Sequence, residues 1–502
     1  MRIVQTFWTA GRFKTSNEGG LTKCQSGLES GEASALADGG KDPLEYGFGW
    51  PHAEYNLMSW ALSCLSLREH YDEVVLYTDS AGKRILIDEL HLPYTDVQVV
   101  FDDFPCLPQH WALAKIKTYS LQTKPFLHVD GDIYVPHPLP EDILAAPLIA
   151  QNREIGTVYY RRMMDRILSH PDIKLPDYIE QGLREESIAS YNMGFFGGSD
   201  LSFIHDFCKE VFRFMEENRM NDPECPHSHV DCNVFFEQVI FAMMVDREHD
   251  NVACVLGRDM RDNGYTRREF CDLQHYDAHP FHHLLGGHKR NSKVLLSLEQ
   301  LMLRRESELA WKITHMINVH SGSDISMSKT ESTGSHSVFH ISEYDAFAAE
   351  CTRKWSSISD EELFEHARHA AHYQTFLEAE DEKRDGVKLQ SNPYVQLFDM
   401  SLCEEQELQR IKSRHANCKY TLRTLAVIPA LRRGQSREMP VQKTEQDIIS
   451  LASFPKTYAD ILSSLFEMRN VRSKKEKEGT RRHITHVVER MIRNGLLEVN
   501  IQ

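Results

Sequence analysis

Ten residues, Phe126 to Val135 (FLHVDGDIYV), constrain this chain more than any other stretch. An apolar run leads into two carboxylates, Asp130 and Asp132, and a second apolar run leads away. The first run reads as a buried strand. A strand that ends in Asp-Gly-Asp sets two hard oxygen ligands at its edge, where Gly131 eases the bend of the backbone. That arrangement suits a divalent cation holding the phosphates of a substrate. It also suits a plain turn, because Asp-Gly is a common turn signal and acids at strand ends are often only solvated. The rest of the chain has to choose between the two.

The first 130 residues predict an α/β unit. Ile3–Trp8, Glu73–Thr78 and Val97–Phe101 read as strands, with helices over Tyr55–Leu67, Lys83–Leu90 and His110–Leu121 between them and the Asp-Gly-Asp strand. Alternating strands and helices predict a largely parallel sheet, and such sheets bind ligands beyond the carboxyl ends of their strands. Residues 11–50 form a Gly-rich insertion after the first strand, long for a loop. Further on, Leu201–Glu217 is an amphipathic helix. Asn233–Val245 reads as a buried helix in which Glu237 and Gln238 stand out. A Ser/Thr/Gly-rich stretch near Ser321–Ser337 is a candidate linker, and helical patterns follow at Tyr344–Trp355, Asp360–Glu378 and Cys403–Ala416. The end, Thr457–Phe466, a basic run, His483–Arg493 and a strand-like Leu496–Ile501, has the order of a winged-helix-like module. The expected division is residues 1–320, a linker at 321–340, a helical region at 341–445 and a small module at 446–502.

Composition narrows the function classes. At 502 residues the chain is too long for one ordinary core. A formal charge of −17 argues against broad nucleic-acid binding. No apolar run is long enough to predict a membrane span, and the start lacks the pattern of a signal peptide. The 11 cysteines are scattered, odd in number and without a C-x-x-C pair, which points away from a disulfide framework or zinc site and toward the cytoplasm.

Four features in chain order describe a phosphate and metal site: Lys115, Asp130-Gly131-Asp132, Asn192 in YNMGFFGG, and His283-x-x-Gly286-x-x-Lys289. Two carboxylates and an imidazole suit Mn²⁺ or Mg²⁺ better than Zn²⁺. Gly286 would let the backbone approach a diphosphate, and Lys289 would neutralise charge on it as it leaves.

In these features the sequence resembles a GT-A-fold glycosyltransferase, most closely the glycogenin and bacterial lipopolysaccharide glycosyltransferase group (glycosyltransferase family 8). Lys115, the D-x-D at Asp130–Asp132, Asn192-Met193-Gly194, Glu237-Gln238 and the closing motif His283–Lys289 follow the order of that group over roughly residues 1–295. Three departures stand out: Glu237 where Asp is usual, no Pro-Trp after Lys289, and the Gly-rich insertion. The resemblance implies a Rossmann-like nucleotide-sugar-binding domain with a mainly α-helical C-terminal extension. It implies Mn²⁺- or Mg²⁺-dependent transfer of a sugar, with a UDP-sugar favoured, to a glycan, lipid or peptide acceptor, with retention. Asp130, Asp132 and His283 would hold the metal. Thr6, Phe7, Trp8 and Asp79 would line the nucleotide pocket together with Lys115, Gly286 and Lys289. Asn192 and Gln238 would meet donor or acceptor hydroxyls, and Glu237 or Asp231 would be the base if the reaction inverts. The terminal module would dock a protein partner or a second copy of the chain. Two rivals come from other classes. A nucleotidyltransferase acting on sugar phosphates would carry a phosphate loop after the first strand, of which GRFKTSNEGG is a poor version. A non-catalytic binding protein on a degenerate version of the fold would be expected to have lost one of the two acids, the histidine or the lysine.

Overall fold

The apolar runs of the first half build one sheet. In the computed structural model, which describes residues 1–10, 42–182, 188–248, 251–261, 268–327, 343–415, 418 and 421–500, the strands are β1 (Arg2–Phe7), β2 (Val74–Thr78), β3 (Asp96–Val99), β4 (Phe126–Val129), β5 (Ile133–Tyr134), β6 (Ile149–Ile155), β7 (Ala189–Gly198), β8 (Ala253–Cys254), β9 (Met260–Arg261) and β10 (His282–His283). The sheet order is β3-β2-β1-β4-β7-β6-β8, with β9 also on β6. β1 pairs in parallel with β2 and β4, and β2 pairs in parallel with β3. β7 runs antiparallel between β4 and β6. The chain therefore moves outward from β1 through β2 to β3, then crosses to the other side of β1 for β4. That reversal makes a topological switch point at the carboxyl ends of β1 and β4, where open α/β sheets bind ligands, and Asp130 follows the last residue of β4.

Both faces of the sheet are covered. The helices Leu113–Ser120, Leu201–Glu217 and Ile240–Glu248 close one side in a core rich in phenylalanine that includes Phe126, Phe196, Phe207 and Phe241. Tyr119 and Phe196 pack with ring centroids 4.5 Å apart, tying helix to sheet. Helix Ala53–Arg68 is buried along nearly its whole length, as its lack of a polar stripe dictates. The helix expected at Lys83–Leu90 is a short α-helix, Ser80–Lys83, that widens into a π-helical turn at Arg84–Glu89. The one expected at Asn233–Val245 begins with a π-helical turn, Phe235–Val239, which carries Glu237 and Gln238. Such turns occur frequently at functional sites.

The chain divides into two compact units, Met1–Leu295 and Leu296–Gln502, where the sequence placed a boundary at 320. Residues 321–327, expected in a linker, continue the helix Ser307–Met327; the rest of that linker and most of the Gly-rich insertion lie outside the described residues. The second unit is helical, as its periodicity predicts, but it also holds two three-stranded sheets: β12 (Gln396–Asp399), β13 (Thr424–Pro429) and β14 (Ser436–Val441) form one, while β15 (Lys456–Thr457) and β16 (Leu497–Val499) flank β11 (Lys388–Ser391) in the other. The residues expected as a separate module at 446–502 share this second sheet, and a core containing Tyr373, Leu389 and Ile428, with earlier parts of the chain. Among the described residues no helix is long and apolar enough to cross a membrane, and ten cysteines are free thiols.

Candidate metal and diphosphate site

Leaving β4, the backbone N–H of Asp130 still pairs with β7, donating to the Gly194 carbonyl at 2.9 Å. The chain then turns, with the Ile133 N–H donating to the Asp130 carbonyl at 3.1 Å. Gly131 is required here for space, since a Cβ at that position would lie 2.4 Å from the Trp60 ring. Ser59 donates to the Gly131 carbonyl at 2.8 Å and fixes the turn from the helix side. β5 then pairs with β10 over two residues, His283 opposite Ile133, and the Leu284 N–H donates to the Asp132 carbonyl at 3.0 Å. This short ladder delivers the distant histidine to the two aspartates.

One ligand atom from each of Asp130, Asp132 and His283 lies within 4.8 Å of the others, so the three could hold a metal ion. Their chemistry fits a cation that prefers oxygen with one nitrogen. His283 is oriented from behind: its Nδ1–H donates to the Gln151 Oε1 at 2.7 Å, and its Nε2 faces Asp132 at 3.5 Å. The neighbouring His282 turns away, with Nε2 donating to the Tyr276 carbonyl, and burial pushes its pKa down to about 4.

Two lysines flank the carboxylates. Lys289 Nζ sits 2.8 Å from Asp132, and Lys115 Nζ sits 2.9 Å from Asp130 and 2.6 Å from Glu237. Burial works against the charge on Asp132, but Lys289 and His283 outweigh it and hold that carboxyl well below the usual range. For Asp130 burial wins over Lys115, and the charge of Asp132 adds to it, so its pKa is raised. Burial likewise raises Glu237 against the pull of Lys115. The two acids of one motif are thus pushed in opposite directions. Beneath them His128, buried and beside Lys115, is held neutral by desolvation and by that charge.

Other residues named from the sequence occupy defined places. Asn192 donates to Glu154 and accepts from the Gly194 N–H. Gln238 accepts from the Tyr160 hydroxyl at 2.6 Å. Gly286 has φ +53 with open space where a Cβ would stand. At the end of β1, Thr6 donates to the Thr118 hydroxyl, Phe7 packs on Trp60 and Phe48, and Trp8 packs on Phe104. Asp79 accepts from Thr9 and caps the following helix through the Gly82 N–H. Gln151, Glu154 and Tyr160 are not named from the sequence: the first two sit in an unbroken polar run of β6, and Tyr160 lies in the helix Val158–Leu168.

A family model described as a family of unknown function (DUF6734) matches residues 1–316. The chain belongs to this family. Comparison with curated proteins gives no match. The DUF6734 segment contains every residue of the site, both lysines and the ladder between β5 and β10.

Proposed function

We propose that this DUF6734 protein is a metal-dependent glycosyltransferase that moves a sugar from a nucleotide-diphosphate sugar, with UDP-sugars favoured, to a glycan, lipid or peptide acceptor, with retention. One observation carries the reading: two carboxylates and a histidine meet at the switch point between β1 and β4, with a lysine against each carboxylate. A site that binds a diphosphate and a cation needs this balance of anionic ligands and ammonium groups.

A divalent cation, Mn²⁺ or Mg²⁺, held by Asp130, Asp132 and His283 would supply Lewis-acid polarisation and charge neutralisation at the diphosphate. Asp132, whose negative charge is strongly favoured, serves as the ligand that stays ionised at neutral pH. Lys289 exchanges part of its contact with Asp132 for the departing phosphate and stabilises the charge gathering there. Gly286, three residues before it and without a side chain, admits the phosphates to the backbone. Glu237 pairs with the ammonium of Lys115, which suits a residue that positions Lys115 and Asp130 rather than one that removes a proton. A retaining reaction asks for no base, and the leaving phosphate takes the acceptor proton. Gln238 and Asn192 orient hydroxyls.

The test is a Mn²⁺-dependent hydrolysis screen over UDP-, GDP- and other nucleotide-sugars with the full chain. Hydrolysis of one donor, lost on adding a chelator and in Asp132→Ala, is expected. Activity that persists in Asp132→Ala, or no turnover with any donor, overturns the reading.

A further inference from the structure

Of the six tryptophans, Trp8, Trp50, Trp60 and Trp355 are no more than 9% exposed and Trp311 is intermediate, whereas Trp111 is 53% exposed. Tryptophan is highly buried on average, and Trp111 is the exception among the six. This one is also held in place with care. On either side of it, the buried Asn233 amide donates to the Gln109 carbonyl at 2.7 Å and its oxygen accepts from the Ala112 N–H at 3.1 Å. His110, with no exposed surface, donates from Nε2 to the Ser228 carbonyl at 2.8 Å. The backbone that presents the indole is thus locked by buried hydrogen bonds while the ring remains open.

The ring stands beside the site. Lys115 Nζ, which contacts Asp130 and Glu237, lies 5.9 Å from the Trp111 centroid. The other lysine, Lys289, has Trp50 at 5.5 Å, but that ring is buried, so of these two rings Trp111 is the one that offers an open face. The Asn233 amide that holds Gln109 also engages an acid. The exposed carboxylate of Asp231 accepts from the Asn233 amide at 3.0 Å. Tyr159 is 48% exposed, and its phenol is pushed up by burial and by the charge of Asp231.

We infer that Trp111 is the platform of an acceptor subsite that binds a pyranose ring, with Asp231 accepting from its hydroxyls. The chemistry is that of a sugar. The C–H face of a pyranose carries partial positive charge and suits the negative face of an indole, while its hydroxyls are donors that a carboxylate can accept. Such a sugar would lie against the Lys115–Glu237 side of the site. The inference rests on the glycosyl-transfer reading and selects a saccharide from the acceptor classes left open there.

Trp111 is the most exposed of the tryptophans, so its fluorescence provides the test. Maltose, lactose and cellobiose are titrated separately into the full chain, without metal or nucleotide, and protection from acrylamide quenching is followed. Saturable protection by at least one disaccharide is expected. It should weaken at least tenfold in Trp111→Ala, read by calorimetry, and stay within a fewfold of wild type in Trp111→Tyr. No protection by any of the three, or equal binding in Trp111→Ala, overturns the proposal. So does protection of Trp111 by UDP alone, which would make the ring a nucleobase platform. Because the titration uses neither donor nor metal, a chain that binds a disaccharide but hydrolyses no nucleotide-sugar fails the donor reading and keeps the platform; the reverse result fails only the platform.

Discussion

Gln151 and His283, 132 positions apart in the chain, meet through a 2.7 Å hydrogen bond that decides which imidazole nitrogen faces the aspartates. Replacing Gln151 by Leu removes the acceptor and frees the ring to rotate or change tautomer. Outer partners of this kind typically change metal affinity by about 10–100-fold. Gln151→Leu should weaken Mn²⁺ binding by that amount in calorimetry with the metal alone, and Gln151→Glu should restore most of it. Unchanged affinity in the Leu variant would remove His283 from the ligand set.

Gly194 guards the same contact from the other side. A Cβ there would stand 2.6 Å from the Gln151 Oε1 and 2.7 Å from the His283 Cε1. Gly194→Ala should destabilise the chain by about 1–3 kcal/mol through overpacking and weaken Mn²⁺ binding at least as much as Gln151→Leu. Urea unfolding and metal calorimetry on one sample separate the two effects; wild-type affinity in a folded Ala variant would show that the histidine need not hold its position.

Lys115 is the hub of a buried ion cluster. Removing its charge leaves Glu237, 1% exposed, without a counter-ion. Breaking a buried pair from one side costs about 3–5 kcal/mol. Lys115→Met should lose stability of that order in urea unfolding, and adding Glu237→Gln should recover part of it, since the uncompensated charge is then gone. No recovery in the double variant would mean that Lys115 acts on stability through Asp130 alone.

The parts of this site that the sequence made legible are those whose residue types are unusual where they occur. Two acids at the end of an apolar strand, and a histidine and lysine spaced around glycines, have few structural explanations. Gln151 and Glu154 lie in a run of four consecutive polar residues, so nothing in IAQNREI marks the two whose side chains matter. The residues expected at the nucleotide pocket show the opposite difficulty. Thr6, Phe7, Trp8 and Asp79 have the right types at a strand end, yet each also has a partner within the fold, and residue type cannot separate the two roles. In the second unit, β13 and β14 escaped notice because the charges and proline of SREMPV hide the alternation of a strand, and a six-residue run such as TLAVIP has no period of its own.

A pH effect is expected in that unit. Burial disfavours charge on His366, but the Glu498 carboxylate, 2.6 Å from Nδ1, outweighs it, and Glu362 and Glu365 add to the pull, so the folded pKa is raised. His369 also faces Glu498, at 3.9 Å. A raised folded pKa gives stability that is fully present below the unfolded value of about 6.5 and is lost as pH rises through the folded value. Thermal unfolding from about pH 5.5 to 8.5 should therefore show the wild type losing its advantage over His366→Gln as pH increases. Parallel curves for the two proteins would show that the pair does not titrate in this window.

The ladder between β5 and β10 is only two residues long, yet it joins the turn after β4 to a point beyond β9. An ion gripped by Asp130, Asp132 and His283 would act there as a cross-link, closing a ring of chain that contains β6, β7 and the helices between them. Cross-links across long rings restrict the unfolded chain strongly, and binding to the folded form alone adds protection that grows with ion concentration. Amide exchange in β5 and β10 should then respond to cation more than exchange at the far edge of the sheet in β3, so this small pairing would report occupancy of the site before any substrate is known.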